Sequence, residues 1–176
     1  MRRMAARNVI LVGFMGAGKS VCGRLLARRL GHCFVETDAM IVARDGRTIP
    51  EIFRQDGEEA FRRLEAETLD ALALKSDDVV ATGGGLPCRA GRVDALKALG
   101  TVVWLRGELG DLIRRAARSG DRPMLARPRE EIEALYRARE PYYREADVTI
   151  DTAGLGPGQV VQRVLAALRE RDAARV

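Results

Sequence analysis

Residues 9–20, VILVGFMGAGKS, constrain this chain more than any other stretch. Val9, Ile10, Leu11 and Val12 form a continuous apolar run rich in β-branched residues, the pattern of a strand buried on both faces in a parallel sheet. At Gly13 the run gives way to Gly13-Phe14-Met15-Gly16-Ala17-Gly18-Lys19-Ser20, which fits G-x-x-x-x-G-K-[ST] at every fixed position. Glycines carry no Cβ, so the backbone can wrap a phosphate with its N–H groups pointing inward. A helix opening near Lys19 adds its N-terminal partial positive charge. On this reading Gly16, Ala17, Gly18 and Val21 surround the phosphates of a nucleotide, and Lys19 reaches its β- and γ-phosphates. The Ser20 hydroxyl is then a ligand for Mg²⁺. The alternative is a glycine-rich strand-to-helix turn that holds nothing; the full motif, with a strand before it and a helix after, speaks against that.

The 176 residues are expected to form one domain, 1–176. A hydrophobic content of 47% beside 31% charged residues suits a globular protein. No apolar run approaches the ~18 residues of a membrane span. The opening MRRMAARN is basic, but the apolar run behind it is the first strand and is too short for a secretory signal. The expectation is a cytoplasmic protein with no membrane partner. Cys22, Cys33 and Cys88 lack C-x-x-C spacing and read as small buried residues in a reducing compartment. His32 follows the turn at Gly31 and has no cysteine or carboxylate cluster to join. The net charge is +5, and all but three of the 30 basic residues are arginine, spread among acidic ones. No nucleic-acid-binding motif accompanies them, so the positive balance is read as suited to small anionic substrates.

Along the chain, Val21, Leu25, Leu26 and Leu30 make an apolar stripe near helical spacing, stopped at Gly31. A second strand at 33–35 ends in Glu36-Thr37-Asp38, and a short helix over 39–43 closes at Asp45-Gly46. Thr48-Ile49-Pro50-Glu51 has the form of a capping box, opening one or two helices interrupted near Asp56-Gly57. A third strand at 79–82 runs into Gly83-Gly84-Gly85. Further helices are expected near 90–99, 108–118 and 129–146, with Pro141 a kink or break in the last. Strands at 101–105 and 148–150 and a closing helix over 158–171 complete the pattern. Such alternation gives an α/β fold, a parallel sheet with helices on both faces, whose ligands lie beyond the carboxyl ends of the strands. The phosphate loop, Asp38 and the triple glycine all fall at such ends.

A phosphate loop alone does not separate a kinase from a GTPase, an ATPase or a motor. There is no N-K-x-D signature, and where an apolar strand ending in Asp might help hold Mg²⁺ the chain reads VVATGGG. A carboxylate elsewhere must serve. Glu36 and Asp38, two residues apart at a strand end, are expected to point to the same side; a solvated strand terminus is the alternative.

Six stretches in order carry a resemblance: GFMGAGKS at 13–20, ETD at 36–38, DGEEAFRRLE at 56–65, TGGG at 82–85, DRPML at 121–125 and AREPYYREAD at 138–147. Over nearly its whole length the chain resembles the shikimate kinase family. That resemblance implies a three-layer P-loop NTPase fold of the nucleoside monophosphate kinase type, with a five-stranded parallel sheet and a mobile lid at about 119–129. It implies transfer of the γ-phosphoryl group of ATP to shikimate, with one Mg²⁺, in a monomer. Matched position by position, Asp38 binds the acceptor hydroxyls and is the candidate base. Arg62 and Arg139 clamp the acceptor carboxylate, a task suited to planar guanidinium groups. Gly83, Gly84 and Gly85 bring backbone N–H groups close to the acceptor, and Arg122 of the lid reaches the transferring phosphate.

Two positions depart from the family's pattern. The family usually carries Asp, organising Mg²⁺ through water, where this chain has Glu36. It often carries a basic residue after the fifth strand, where this chain reads DTAGLGP over 151–157. Adenine is then expected between Arg115 and Pro157, held by backbone contacts. A kinase for another small hydroxy acid, such as gluconate, is the rival enzyme. A module that binds both ligands without turnover is the rival from a different class, although Lys19, Asp38 and Arg122 are all present.

Overall fold

The computed structural model describes residues 8–118 and 127–174. Its centre is β1 (Asn8–Val12), every residue of which is buried, as befits the middle of a parallel sheet; the apolar run 9–12 follows Asn8, whose side chain accepts from the Asp78 N–H and donates to the Lys75 carbonyl. Around it lie β2 (Cys33–Glu36), β3 (Asp78–Ala81), β4 (Gly100–Arg106) and β5 (Val148–Asp151), in the order β2-β3-β1-β4-β5, and every pairing is parallel. The chain leaves β1 toward one edge and later returns to its other side. The end of β1 is therefore the point where strand order reverses, and a crevice for ligands opens there.

The helices are α1 (Lys19–Leu30), α2 (Thr37–Asp45), α3 (Ile49–Ala73), α4 (Arg92–Leu99), α5 (Leu109–Arg118), α6 (Arg129–Arg144) and α7 (Pro157–Ala173). Together they cover the sheet, giving the expected α/β layering. One core cluster joins all five strands' apolar residues to α1, α6 and α7; a smaller one, Ile41, Ile52 and Phe61, holds α2 to α3. Among the described residues no helix is long and apolar enough to cross a membrane.

Local chemistry sets several boundaries as the sequence suggested. At the start of α3 the Glu51 carboxylate accepts from both the Thr48 N–H (2.8 Å) and its hydroxyl (2.6 Å), with Pro50 in the first turn. Gly57 interrupts the helix with φ 79° and ψ −178°, a conformation open essentially to glycine alone. Gly31 and Gly46 close α1 and α2 in the left-handed conformation.

Other expectations are corrected. The buried face of α1 is Cys22, Gly23, Leu26 and Ala27, so Val21 is exposed and not part of an apolar stripe. The small residues are there because Phe34 packs directly on Gly23, where a Cβ would collide with its ring. Cys33 is exposed at the start of the edge strand, and Cys88 is half-buried; only Cys22 is buried, which pushes its thiol up to about 11. Pro141 does not break α6: its missing amide would have bonded the Arg137 carbonyl, and both residues are exposed, so water can serve that carbonyl. Helix α2 starts at Thr37, two residues earlier than its apolar pattern suggests, and that removes the strand geometry assumed for Asp38.

Gly57 has open space where a Cβ would sit, so the strain of replacing it is purely conformational. Gly57→Ala is expected to cost about 1–3 kcal/mol. For a chain of this size the calorimetric melting temperature should then fall by roughly 2–12 °C, and an unchanged value would contradict the assignment.

Candidate active site

The loop after β1 has the shape its glycines require. Gly13, Gly16 and Gly18 take φ of 144°, 76° and 86°. A Cβ on Gly13 would stand 2.8 Å from the Leu105 carbonyl oxygen, and one on Gly16 would collide with that of Leu112. The loop is thus wedged between the ends of β4 and α5. The Lys19 ammonium lies over the loop, donating to the Gly13 carbonyl at 2.7 Å and the Phe14 carbonyl at 3.1 Å. Helix α1 opens here with no acidic residue in its first turn, so its N-terminal field is uncancelled by its own side chains.

Glu36 and Asp38 serve different groups. Glu36 ends β2, where one oxygen of its carboxylate accepts from the Ser20 hydroxyl and the other pairs with Arg24 at 2.9 Å. Arg24 also lies 4.9 Å over the Phe34 ring, which holds the pair in place. Asp38 is in the first turn of α2 and faces the triple glycine: a Cβ on Gly83 would run into its Oδ1. Between them Thr37 is fully buried, and its hydroxyl oxygen accepts the Gly83 N–H at 2.9 Å. The expectation that all three glycine amides face an acceptor is therefore corrected at Gly83, whose N–H is committed to Thr37.

Arg62 and Arg139 come from α3 and α6 and meet at one point. Arg139 Nη2 and Arg62 Nη1 each stand 3.2 Å from where a Cβ on Gly85 would be, and Arg139 Nη1 is 3.3 Å from the same position on Gly84. A Cβ at either glycine would press on these guanidinium groups and make them give by a few tenths of an ångström. Arg62 is held by Glu58 at 2.9 Å and by Glu65 at 2.8 Å. Glu65 is almost fully buried, and burial pushes its carboxyl above the ordinary carboxylate range, against the opposing pull of Arg62. Arg139 lies 5.9 Å over the Phe14 ring, and that ring packs edge-on against Tyr136. The fully buried Tyr143 donates its hydroxyl to the Gly84 carbonyl at 2.6 Å.

On the far side of the phosphate loop, Arg115 donates to the Thr152 hydroxyl oxygen at 3.1 Å and to its carbonyl at 3.0 Å, tying α5 to the loop after β5. It lines an open cleft of about 250 Å³ with Asp111, Arg114, Arg118 and Gly154. Exposed Pro157 opens α7 nearby in sequence but is not among the residues lining that cleft. Arg122 and most of the 119–129 segment lie outside the described residues.

The structure thus gathers Gly16 to Ser20, Glu36, Asp38, Arg62, Gly83 to Gly85 and Arg139 at the carboxyl ends of β1, β2 and β3. Sequence reasoning assigned no role to Phe14, Arg24, Thr37, Glu58, Glu65 or Tyr143. Five of these lie inside quoted motifs, where their proximity to assigned residues was the available signal. This arrangement sets an anion-binding loop beside a carboxylate and two converging guanidinium groups. It suits phosphoryl transfer to a small anionic acceptor bearing hydroxyl groups.

Comparison with known proteins gives a consistent result. Residues 15–169 match the family model described as "Shikimate kinase". A shikimate kinase of Persephonella marina is 40% identical over 163 residues, spanning 93% of this chain and 99% of that protein. One of Geobacter sulfurreducens is 45% identical over 168 residues, spanning 94% and 93%. The solved shikimate kinase of Acinetobacter baumannii, in complex with shikimate, superposes with a TM-score of 0.88 at 36% identity and covers 96% of each chain.

The buried Arg62–Glu65 pair makes stability depend on pH. A carboxyl whose folded value is raised holds its proton more tightly in the fold; its stabilising effect is present below the ordinary carboxylate value and is lost as pH rises through the raised one. Arg62→Ala removes the guanidinium that opposes this rise. The variant should lose up to about 3–5 kcal/mol near pH 8, where the unfolded chain ionises Glu65 and the fold has no Arg62 to offset its burial, and clearly less near pH 5. Denaturant midpoints at the two pH values measure this, and an equal loss at both would contradict it.

Proposed function

The chain belongs to the shikimate kinase family, and from that premise we propose how its residues divide the work of phosphorylating shikimate. The reaction moves the γ-phosphoryl group of ATP to the 3-hydroxyl of shikimate, giving shikimate 3-phosphate and ADP, a step in aromatic amino acid biosynthesis. In our reading Arg62 and Arg139 take the shikimate carboxylate. The observation that carries this is their convergence on Gly85 from separate helices. Asp38, facing Gly83, accepts hydrogen bonds from the ring hydroxyls and takes the proton of the attacking one. Gly84 and Gly85 lie against the ring.

Gly16, Ala17, Gly18, Lys19, Ser20 and Val21 hold the nucleotide phosphates. The Lys19 ammonium, already over the loop, neutralises charge on the β- and γ-phosphates. Exposed Val21 at the start of α1 leaves that side open to the nucleotide. Arg115 and Pro157 flank the adenine; the cleft beside Arg115 supports the first of these. Arg122 is assigned to the transferring phosphate from its sequence match alone. Ser20 and Glu36 bring two oxygen donors together, a set suited to a hard cation, and we assign Mg²⁺ to them. Held there, Mg²⁺ would supply positive charge to offset the negative charge of the nucleotide phosphates. Glu36 reaches Ser20 directly, so the extra methylene relative to Asp does not draw the carboxylate away from that donor. We also infer one domain over 1–176, working as a cytoplasmic monomer on small molecules, with no nucleic-acid or membrane partner.

Release of ADP in a coupled assay tests this reading. Shikimate should be turned over, and gluconate at the same sub-saturating concentration should not. The methyl ester of shikimate should lose on the order of 10²–10⁴-fold in kcat/KM, from two charged hydrogen bonds worth ~1.5–3 kcal/mol each. Gluconate phosphorylated as efficiently as shikimate would overturn the substrate assignment; an ester as good as the acid would overturn the clamp.

A further inference from the structure

Tyr143 is fully buried, yet its hydroxyl reaches the carbonyl of Gly84, a residue 59 positions away and in the middle of the glycine run. A buried phenol needs a partner for its hydroxyl, and many would satisfy it. The partner here has a geometric consequence. In a planar trans peptide the C=O and the following N–H point in opposite directions. With the Gly84 carbonyl drawn toward Tyr143 in the core, the Gly85 N–H is turned away from the core. Among the described residues no hydrogen bond spends that amide. Gly85 is where Arg62 and Arg139 converge.

The neighbouring groups are consistent with an anchor. Cys88 Sγ is a second, weaker donor to the same carbonyl at 3.4 Å. The Leu86 N–H bonds the Gly83 carbonyl at 3.2 Å and the Cys88 N–H that of Gly85 at 3.0 Å, so the turn is tight on both sides. At the other end Thr37 holds the Gly83 N–H. The Tyr143 ring lies 6.1 Å from the Trp104 ring of β4, which fixes its height against the sheet. Arg139 stands one helical turn before Tyr143 on α6, and both reach the same glycine: a Cβ on Gly84 would stand 3.3 Å from Arg139 Nη1 and 3.7 Å from the Tyr143 hydroxyl oxygen. Burial raises the phenol's proton affinity well above the ordinary tyrosine range, so it remains a donor across working pH.

We propose that the Tyr143 hydroxyl is a positioning group for acceptor binding, orienting the Gly84–Gly85 peptide and seating Arg139 against it before shikimate arrives. The proposal rests on the acceptor site described above. It predicts a split between substrates that simple core packing would not give.

Tyr143→Phe keeps the ring and removes only the hydroxyl. Assayed well below its melting temperature, it should raise KM for shikimate about three- to tenfold, the effect of one lost hydrogen bond. KM for ATP should stay within about twofold, since the phosphate loop is untouched. Tyr136→Phe also removes a hydroxyl that α6 offers to a carbonyl, that of Gly107 at 3.4 Å, and should leave shikimate KM unchanged. In the wild-type protein without ligand, exchange of the bonded Gly83, Leu86 and Cys88 amides should already be slow. An unchanged shikimate KM in Tyr143→Phe, equal rises for both substrates, or exchange that slows only on adding shikimate would each overturn the proposal. Wild-type turnover of shikimate in the same assay separates this outcome from failure of the functional reading.

Discussion

The site depends on three consecutive residues that have no side chain. Beyond β3 the backbone of Gly83, Gly84 and Gly85 is approached by Asp38, Arg139 and Arg62, each within a distance that a Cβ would contest. A carboxylate and two guanidinium groups converging on bare backbone would otherwise need a cavity cut into the core. Glycine supplies the room, and the groups beneath it supply the rigidity: Thr37 on the Gly83 amide, Tyr143 on the Gly84 carbonyl. The entropic cost of ordering a glycine run is offset by hydrogen bonds that leave it little freedom.

The same packing joins the two halves of the reaction. A Cβ on Gly84 would stand 3.6 Å from the Gly13 carbonyl oxygen, so the phosphate loop and the glycine run are adjacent. Thr82 strengthens that link by donating its N–H and its hydroxyl to the Leu11 carbonyl, both at 3.1 Å. Phe14 is the hinge pin of the arrangement. It belongs to the phosphate loop, is buried, and carries Arg139 over its ring. Parallel pairing of β3 with β1 is what brings these loops side by side, in keeping with in-line transfer between two bound small molecules.

Much of this was legible in the sequence because the chemistry is local. The phosphate loop needs a strand, glycines at fixed spacing and a helix, all within a dozen residues. The kink at Gly57 and the cap at Thr48 are written in adjacent residues for the same reason. What could not be read depends on long-range contacts. In the sequence Gly83's amide reads as available, yet Thr37, 46 residues earlier, accepts it. Strand alternation puts Asp38 on the same side as Glu36, but α2 begins at Thr37 and turns it toward the glycines. Glu65 resembles any charged residue in an amphipathic helix; only its burial beside Arg62 distinguishes it. Pro141 carried a strong local signal for a break, and solvent exposure of the orphaned carbonyl's residue made that signal weak in effect.

Calorimetric titration of shikimate into Gly85→Ala tests most directly whether bare backbone is what admits the acceptor. The added Cβ would stand 3.2 Å from both guanidinium groups and force at least one of them aside. If the two arginines grip the acceptor there, shikimate affinity should fall by at least about tenfold, or ~1.4 kcal/mol, while a non-hydrolysable ATP analogue binds as before. Unchanged shikimate affinity in a folded variant would mean that the acceptor does not need this convergence, and the account of the site would fail.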